Sequence, residues 1–93
     1  MRDLNERLVC VDGFSMSVQA NQYAYCEPRS DKGPYTRYEV GYPSTPEPLL
    51  SEFQESLGRL DPTDDVYPYV PKDVVMAVVQ KHGGPQVPRY LRD

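Results

Sequence analysis

The chain has 93 residues, enough for one hydrophobic core, and its composition of 39% apolar and 26% charged residues still allows that core to collapse. No apolar run approaches the roughly 18 residues of a membrane span, and the first seven residues are rich in charge, which disfavours membrane insertion and secretion. We therefore expect one cytoplasmic domain over residues 1–93, with flexible ends at about 1–6 and 85–93.

The first half of the chain has the pattern of an antiparallel sheet. Asp12-Gly13 precedes a strict alternation of apolar and polar residues over 14–20, which predicts a hairpin with a type I′ turn. Tyrosine and valine then favour further strands, because they suit a half-buried pleated surface. The strands are predicted at about 7–11, 14–20, 22–27 and 35–42. Residues 66–70 form a shorter extended segment, which Pro68 places at the edge of the sheet.

Two helices are predicted to cover one face of the sheet. Pro46 and Glu47 are typical of a helix start, and apolar residues recur at three- and four-residue steps as far as Leu60. The second helix runs from about Pro71 to His82, and Gly83-Gly84 ends it. The tail could dock through Tyr90 and Leu91. The resulting fold is α+β, and its predicted core includes Leu50, Phe53, Leu57, Val75, Val78 and Val79.

The residues that could support catalysis are few. Cys10 and Cys26 stand at a spacing typical of neither a disulfide framework nor a zinc site, and we expect two buried thiols in a reducing compartment. The single histidine, His82, lies in the last helical turn, where its charged form suits the helix dipole. A nucleophilic pair of either cysteine with His82 would lack an oxyanion-hole signature. The sequence therefore predicts neither an enzyme nor a cofactor.

The acids are concentrated in one segment. The formal net charge is −4, and residues 47–65 contain six acids against one base, Arg59. The acids are Glu47, Glu52, Glu55, Asp61, Asp64 and Asp65. The loop at 61–65 lacks the glycine and distal glutamate of a calcium hand, so we expect no metal there. The acids are either a solvated face that keeps the protein soluble or a contact surface for a basic partner.

Direct binding to nucleic acid is poorly supported, because an acidic domain repels phosphates unless its bases are clustered, and only Arg29, Lys32 and Arg37 could cluster. The eight tyrosines exceed what so small a core can absorb, and tyrosine is enriched at protein interfaces. The predicted partner-binding residues are therefore acids and tyrosines together: Glu52, Glu55, Asp61, Asp64, Asp65, Tyr35 and Tyr67.

Three stretches, residues 12–20, residues 33–44 and Tyr67-Pro-Tyr-Val-Pro71 with the helix that ends at Lys81-His-Gly-Gly84, resemble small proteins of phage and prophage genomes. That group includes anti-CRISPR inhibitors, which block the nucleic-acid-binding or nuclease-recruiting surface of a CRISPR effector. The resemblance implies a monomer or homodimer that acts on a protein partner in the bacterial host cell. The alternatives are a host-takeover or structural phage protein with another partner and, from a different class, a small thiol-dependent enzyme.

Overall fold

The sheet is a four-stranded antiparallel meander in the computed structural model, which describes residues 5–86. Val18 lies opposite Val40, and Tyr38 lies opposite Val70. The predicted small antiparallel sheet is confirmed, and the segment that contains Pro68 is an edge strand as expected. The strands, hydrogen-bonded in chain order, are β1 (Leu8–Val9), β2 (Ser15–Gln19), β3 (Arg37–Gly41) and β4 (Val66–Pro71).

The turn between β1 and β2 contains Asp12 and Gly13, as predicted, but its loop has three residues. Cys10 N donates to Phe14 O at 2.7 Å, and Gly13 N donates to Cys10 O at 2.9 Å. Gly13 has a φ of 97°, while Asp12 keeps a negative φ, so the turn is not type I′. The Asp12 carboxylate stabilises the loop by accepting a hydrogen bond from Phe14 N at 2.9 Å.

The strand predicted at residues 22–27 is wrong. These residues form bends, and their pairing with β3 is a single isolated bridge between Glu27 and Arg37. Asn21 Oδ1 accepts hydrogen bonds from the amides of Tyr23 and Ala24, both at 2.8 Å. An asparagine side chain that binds the amides two and three residues ahead turns the backbone away from an extended course.

The second predicted helix is confirmed as α1 (Lys72–Lys81). Gly83 and Gly84 end it with φ values of 90° and 89°, a conformation that glycine adopts without steric cost. The predicted docking of Tyr90 and Leu91 lies outside the described residues. The core under the helix consists of Cys10, Phe14, Met16, Val40, Leu50, Tyr67, Val70, Val75, Val78 and Val79.

The helix predicted over residues 46–60 is wrong. A 3₁₀ helix covers Pro48–Phe53 and stops at Gln54, whose ψ of 120° is extended. Leu57 and Gly58 follow with φ values of 57° and 91°, which a right-handed helix does not permit. The described part of the chain therefore has one α-helix instead of the two expected.

Of the apolar residues whose spacing predicted this helix, some are buried and others are exposed. Leu50 is fully buried and Phe53 is half-buried, as expected for the side of a 3₁₀ helix that faces the core. The predicted burial of Leu57 is wrong. Because a 3₁₀ helix repeats every three residues, Leu49 shares a different side with Glu52. The exposed fractions are 40% for Leu49, 86% for Leu57 and 51% for Leu60.

Candidate binding surface

A surface that is both acidic and apolar lies on the segment between β3 and β4. Leu57 is the most exposed apolar residue of this segment, and the same segment carries several exposed acids. Of the predicted contact residues, the structure places four here. We call this set the acidic leucine surface, and its members are Leu49, Leu57, Leu60, Glu52, Glu55, Asp61 and Asp64.

The turn that carries Leu57 is fixed by hydrogen bonds within the segment. Leu57 N donates to Gln54 O at 3.1 Å, and Leu60 N donates to Ser56 Oγ at 3.0 Å. The Gln54 side chain closes the turn by donating from Nε2 to Leu60 O at 3.0 Å. The backbone that carries Leu57 and Leu60 is therefore held by hydrogen bonds within the segment.

Asp65 anchors this turn to the sheet and is not available to a partner. The residue is 3% exposed, so its predicted role as a contact is wrong. Its Oδ1 accepts from Val66 N at 2.8 Å and its Oδ2 from Ser56 N at 3.2 Å, while Glu55 N donates to Val66 O at 2.9 Å. Burial alone would raise the pKa of Asp65, but the hydrogen bonds from Ser56 and Val66 outweigh it and lower the pKa below its ordinary value.

Tyr67 is likewise a core residue, so its predicted place on the surface is wrong. It is 2% exposed, and its hydroxyl donates to Pro62 O at 2.6 Å. Burial, and then the nearby Asp65 and Asp61 carboxylates, raise the pKa of this hydroxyl. The hydroxyl thus holds the short 3₁₀ turn Pro62–Asp64 against β4.

The other predicted tyrosine, Tyr35, is half-buried, with its hydroxyl donating to Ser30 O at 2.8 Å. Other tyrosines of the protein are more exposed than Tyr35. Tyr25 and Tyr69 are each 40% exposed, and their ring centroids are 6.0 Å apart. The Arg29 guanidinium carbon lies 5.6 Å from the Tyr25 ring centroid. Tyr23 and Tyr42 are also exposed.

His82 lies between two carboxylates at the C-terminal end of α1. Its Nδ1 is 2.6 Å from Asp12 Oδ2, and its Nε2 is 2.8 Å from Glu47 Oε1. The ring stacks on Phe14 with a centroid distance of 4.1 Å and an interplanar angle of 12°. The Lys81 ammonium also binds Glu47 Oε1, at 3.0 Å. The expected structural role of His82 is thus matched by contacts that the sequence did not indicate.

The ionisable groups of this cluster shift one another's pKa values. Hydrogen bonds to Glu47 and Asp12 raise the pKa of His82 above its ordinary value. The hydrogen bond from the Phe14 amide, followed by that from His82, lowers the pKa of Asp12. Burial would raise the pKa of Glu47, but hydrogen bonds from Leu49 N, His82 and Lys81 lower it overall.

The cysteines have the character of buried structural thiols. Cys10 and Cys26 are 0% and 2% exposed and neither forms a disulfide. Burial, and then the Asp12 carboxylate, raise the pKa of Cys10, which disfavours the nucleophilic thiolate. Across residues 5–86, histidine, cysteine and carboxylate side chains form no group of three that could hold a metal ion.

The exposed leucines are the residues that sequence reasoning missed. Their spacing matches a helical stripe, and that match led to the prediction of burial. Gly58 is the signal that could have distinguished the exposed Leu57 and Leu60 from the buried Leu50. An isolated glycine inside a helical pattern weakens the prediction of a helix and can mark its end. A helix that ends before Gly58 would have left Leu57 and Leu60 in a turn.

Comparisons with protein-family models, with curated proteins and with solved structures give no significant match to this chain. In the part of the chain that the structure describes, every helix is too short or too polar to cross a membrane.

Proposed function

We propose that the protein is a non-catalytic binding domain that docks its acidic leucine surface onto a basic partner protein with an apolar pocket. The observation that carries the proposal is Leu57, which is 86% exposed on a turn whose backbone is fixed by hydrogen bonds. A backbone that is already held by hydrogen bonds loses little further conformational entropy on docking, which favours affinity.

The acids around the leucines select the charge of the partner. Glu52, Glu55, Asp61 and Asp64 are exposed, and the single base of the segment is Arg59. Acidic groups at the rim of an apolar contact accelerate association with a basic surface and disfavour acidic ones. Pairing of two copies through this surface would bring like charges together, so a basic partner is favoured over a homodimer.

The resemblance to small phage proteins makes a bacterial defence complex the first partner to test. CRISPR effector complexes hold nucleic acid in positively charged channels, and a basic channel has the charge that this surface requires. In this form the protein is an anti-CRISPR inhibitor that blocks the nucleic-acid or nuclease-recruiting surface. A host-takeover or structural phage protein would use the same surface on a different basic partner.

The test is a kinetic binding measurement against the protein captured from a bacterial host, with two matched variants. Leu57→Asp should accelerate dissociation by at least about tenfold, the loss expected when a desolvated apolar anchor is removed. Met76→Asp is the control, since Met76 is 49% exposed on α1, outside the surface. Equal binding of the two variants would reject the surface.

Charge reversal separates the role of the acids from that of the leucines. Changing Glu52, Glu55, Asp61 and Asp64 to lysine should mainly slow association, and added salt should slow the wild type in the same way. If neither charge reversal nor added salt changes the association rate, the acids serve only to keep the surface solvated. The exposed Tyr25 and Tyr69 rings beside Arg29 would then be the next contact to mutate, because paired aromatics with a cation are common in interfaces.

A further inference from the structure

Three parts of the fold meet at His82. Asp12 comes from the hairpin loop between β1 and β2, Glu47 precedes the 3₁₀ helix, and Lys81 is the last residue of α1. The His82 ring is the bridge between the hairpin loop and Glu47, with carboxylate oxygens at 2.6 and 2.8 Å from its two nitrogens. The His82 side chain is 15% exposed, and its two partners differ: Glu47 is 1% exposed and Asp12 is 49% exposed, so the bond to Glu47 is the one shielded from water.

The geometry requires a doubly protonated ring. A carboxylate is only an acceptor when ionised, so each ring nitrogen that faces one must carry a hydrogen. Neutral imidazole has one N–H, and its second nitrogen would point a lone pair at a carboxylate. With the imidazolium, two positive charges (His82 and Lys81) balance two negative charges (Asp12 and Glu47), and loss of the His82 proton leaves the cluster with a net charge of −1.

The hairpin loop and Glu47, which lie on opposite sides of the His82 ring, are held to the end of α1 by different kinds of bond. Asp12 N donates to His82 O at 3.2 Å, and Val11 N donates to Gly84 O at 2.9 Å, so backbone bonds hold the hairpin loop to the helix end. Glu47 is held to α1 by side chains, namely His82 and Lys81. A neutral ring has one N–H, so it keeps the bond to one carboxylate and loses the other, and when the proton stays on Nδ1 the hold on Glu47 is left to Lys81.

Glu47 also begins the segment that carries the acidic leucine surface. Its Oε2 accepts from Leu49 N at 2.8 Å, and its carbonyl accepts from Leu50 N at 3.0 Å, so it caps the 3₁₀ helix. The position of the Glu47 carboxylate thus sets where Leu49 and the first turn of that helix lie. Weakening the bond to His82 would loosen this turn before it loosened the sheet.

We infer that His82 is a pH-sensitive latch, which in its charged form fixes Glu47 and the first turn of the 3₁₀ helix and in its neutral form leaves Glu47 held to α1 by Lys81 alone, so that this turn loosens. The latch would regulate the proposed binding function, since Leu49 belongs to the acidic leucine surface. The latch itself can be measured without any partner.

The direction of the pH response follows from the raised pKa of His82. The stabilisation is fully present below the ordinary histidine value of about 6.5 and is lost as the pH rises through the higher folded value. The charged and titratable groups described around the ring are Asp12 from the hairpin, Glu47 from the segment and Lys81 from α1, with the Cys10 thiol adjacent to Asp12. Both carboxyl pKa values are lowered, so both groups stay ionised across this range.

The experiment combines an NMR titration of the His82 ring with amide hydrogen exchange between about pH 5.5 and 8.5. We expect a titration midpoint above the ordinary value. The protection of the Leu49 and Leu50 amides should fall, by at most about tenfold for each pH unit by which the midpoint exceeds that value, because a ring that keeps its bond to Asp12 keeps part of the raised pKa. Val40 in β3 is the reference amide, because it is fully buried in a central strand.

Asp12→Asn is the variant that tests most directly whether the Asp12 carboxylate favours the charged form of His82. Its amide oxygen can still accept from Phe14 N, while its NH₂ can donate to a neutral Nδ1, so the neutral ring becomes compatible with both neighbours. The midpoint should fall toward the ordinary value, and the pH dependence at Leu49 and Leu50 should shrink. Glu52→Gln, which removes an exposed carboxylate from the same segment, should keep the wild-type midpoint.

Three results would overturn the latch: a wild-type midpoint at or below the ordinary value, an unchanged midpoint in Asp12→Asn, or equal loss of protection at Val40 and Leu49. The last would mean that His82 stabilises the whole fold and not the segment. Failure of the Leu57→Asp test would reject the binding surface and leave these measurements unchanged, so the two proposals are tested separately.

Discussion

Helix α1 and the segment 47–65 both carry apolar residues at helical spacing, yet they meet their backbone hydrogen-bonding needs in different ways. In α1 the amides bond within the helix, and Val75, Val78 and Val79 are buried together. In the segment, the amides of Glu55 and Ser56 donate to Val66 O and to the Asp65 carboxylate. Those bonds compete with helix formation, and the leucines beyond them remain outside the core.

The comparison shows that one stretch of regular spacing can serve two purposes. Leu50 contributes to the core, while Leu57, seven residues later, is exposed on a fixed turn. The exposure of Leu57 does not stabilise the isolated chain, and the proposed binding function gives this side chain a use. Mutations that distinguish the two kinds of residue test this division directly.

The largest expected effect comes from the buried leucine. Leu50→Ala should lower the free energy of unfolding by about 2 to 5 kcal/mol, because it removes fully buried methyl groups and leaves a cavity. Leu57→Ala should change it by less than about 0.5 kcal/mol. Chemical denaturation of both variants is the measurement, and similar losses at the two positions would contradict the observed division.

The next effect concerns the carboxylate that anchors the turn. Asp65→Ala leaves the amides of Ser56 and Val66 without their acceptor, and we expect a loss of about 1 to 3 kcal/mol. Asp64→Ala, which removes an exposed acid next to it, is the matched control. Equal stability of the two variants in denaturation experiments would show that the buried carboxylate does not hold the turn.

Acid should weaken the same anchor. The pKa values of Asp65 and Glu47 are lowered in the folded protein, so their stabilisation is complete above the ordinary carboxyl values and is lost as the pH falls through the folded ones. Unfolding free energies measured from about pH 6 down to pH 3 should therefore decline. The decline should be smaller in Asp65→Ala, and an identical slope in that variant would assign the acid response to other groups.

The smallest expected effect is that of the buried hydroxyl. Tyr67→Phe removes the hydrogen bond to Pro62 O and should cost about 0.5 to 1.5 kcal/mol. Tyr25→Phe, on an exposed ring, should leave stability unchanged. If denaturation ranks the two variants the other way, Tyr67 does not secure the 62–64 turn.

Part of the candidate surface could be predicted from the sequence. Glu52, Glu55, Asp61 and Asp64 are exposed as expected, because ionised side chains are seldom buried without a partner. Asp65 and Tyr67 could not be assigned in the same way. Their burial depends on the start of β4 and on Pro62, and such contacts leave no local trace in the sequence.

The sequence by itself determined the elements whose signals are local. The alternation over residues 14–20 specifies a strand with one buried side, Asp12-Gly13 specifies a hairpin, and the valines before Gly83-Gly84 specify an amphipathic helix that ends there. The hairpin turn and the helix form their backbone hydrogen bonds between near neighbours in the chain, and the strand shows its buried side through its own alternation.

Only the tertiary structure decided the segment 47–65 and the His82 cluster. The amides of the segment bond to Val66 of β4 and to the Asp65 carboxylate, and the His82 ring binds Glu47 and Asp12, which lie 35 and 70 positions earlier in the chain. A helical pattern competes with such long-range acceptors, and the outcome depends on where the rest of the chain places them. For this reason the sequence could indicate an acidic segment, but not that Leu57 would stand exposed within it.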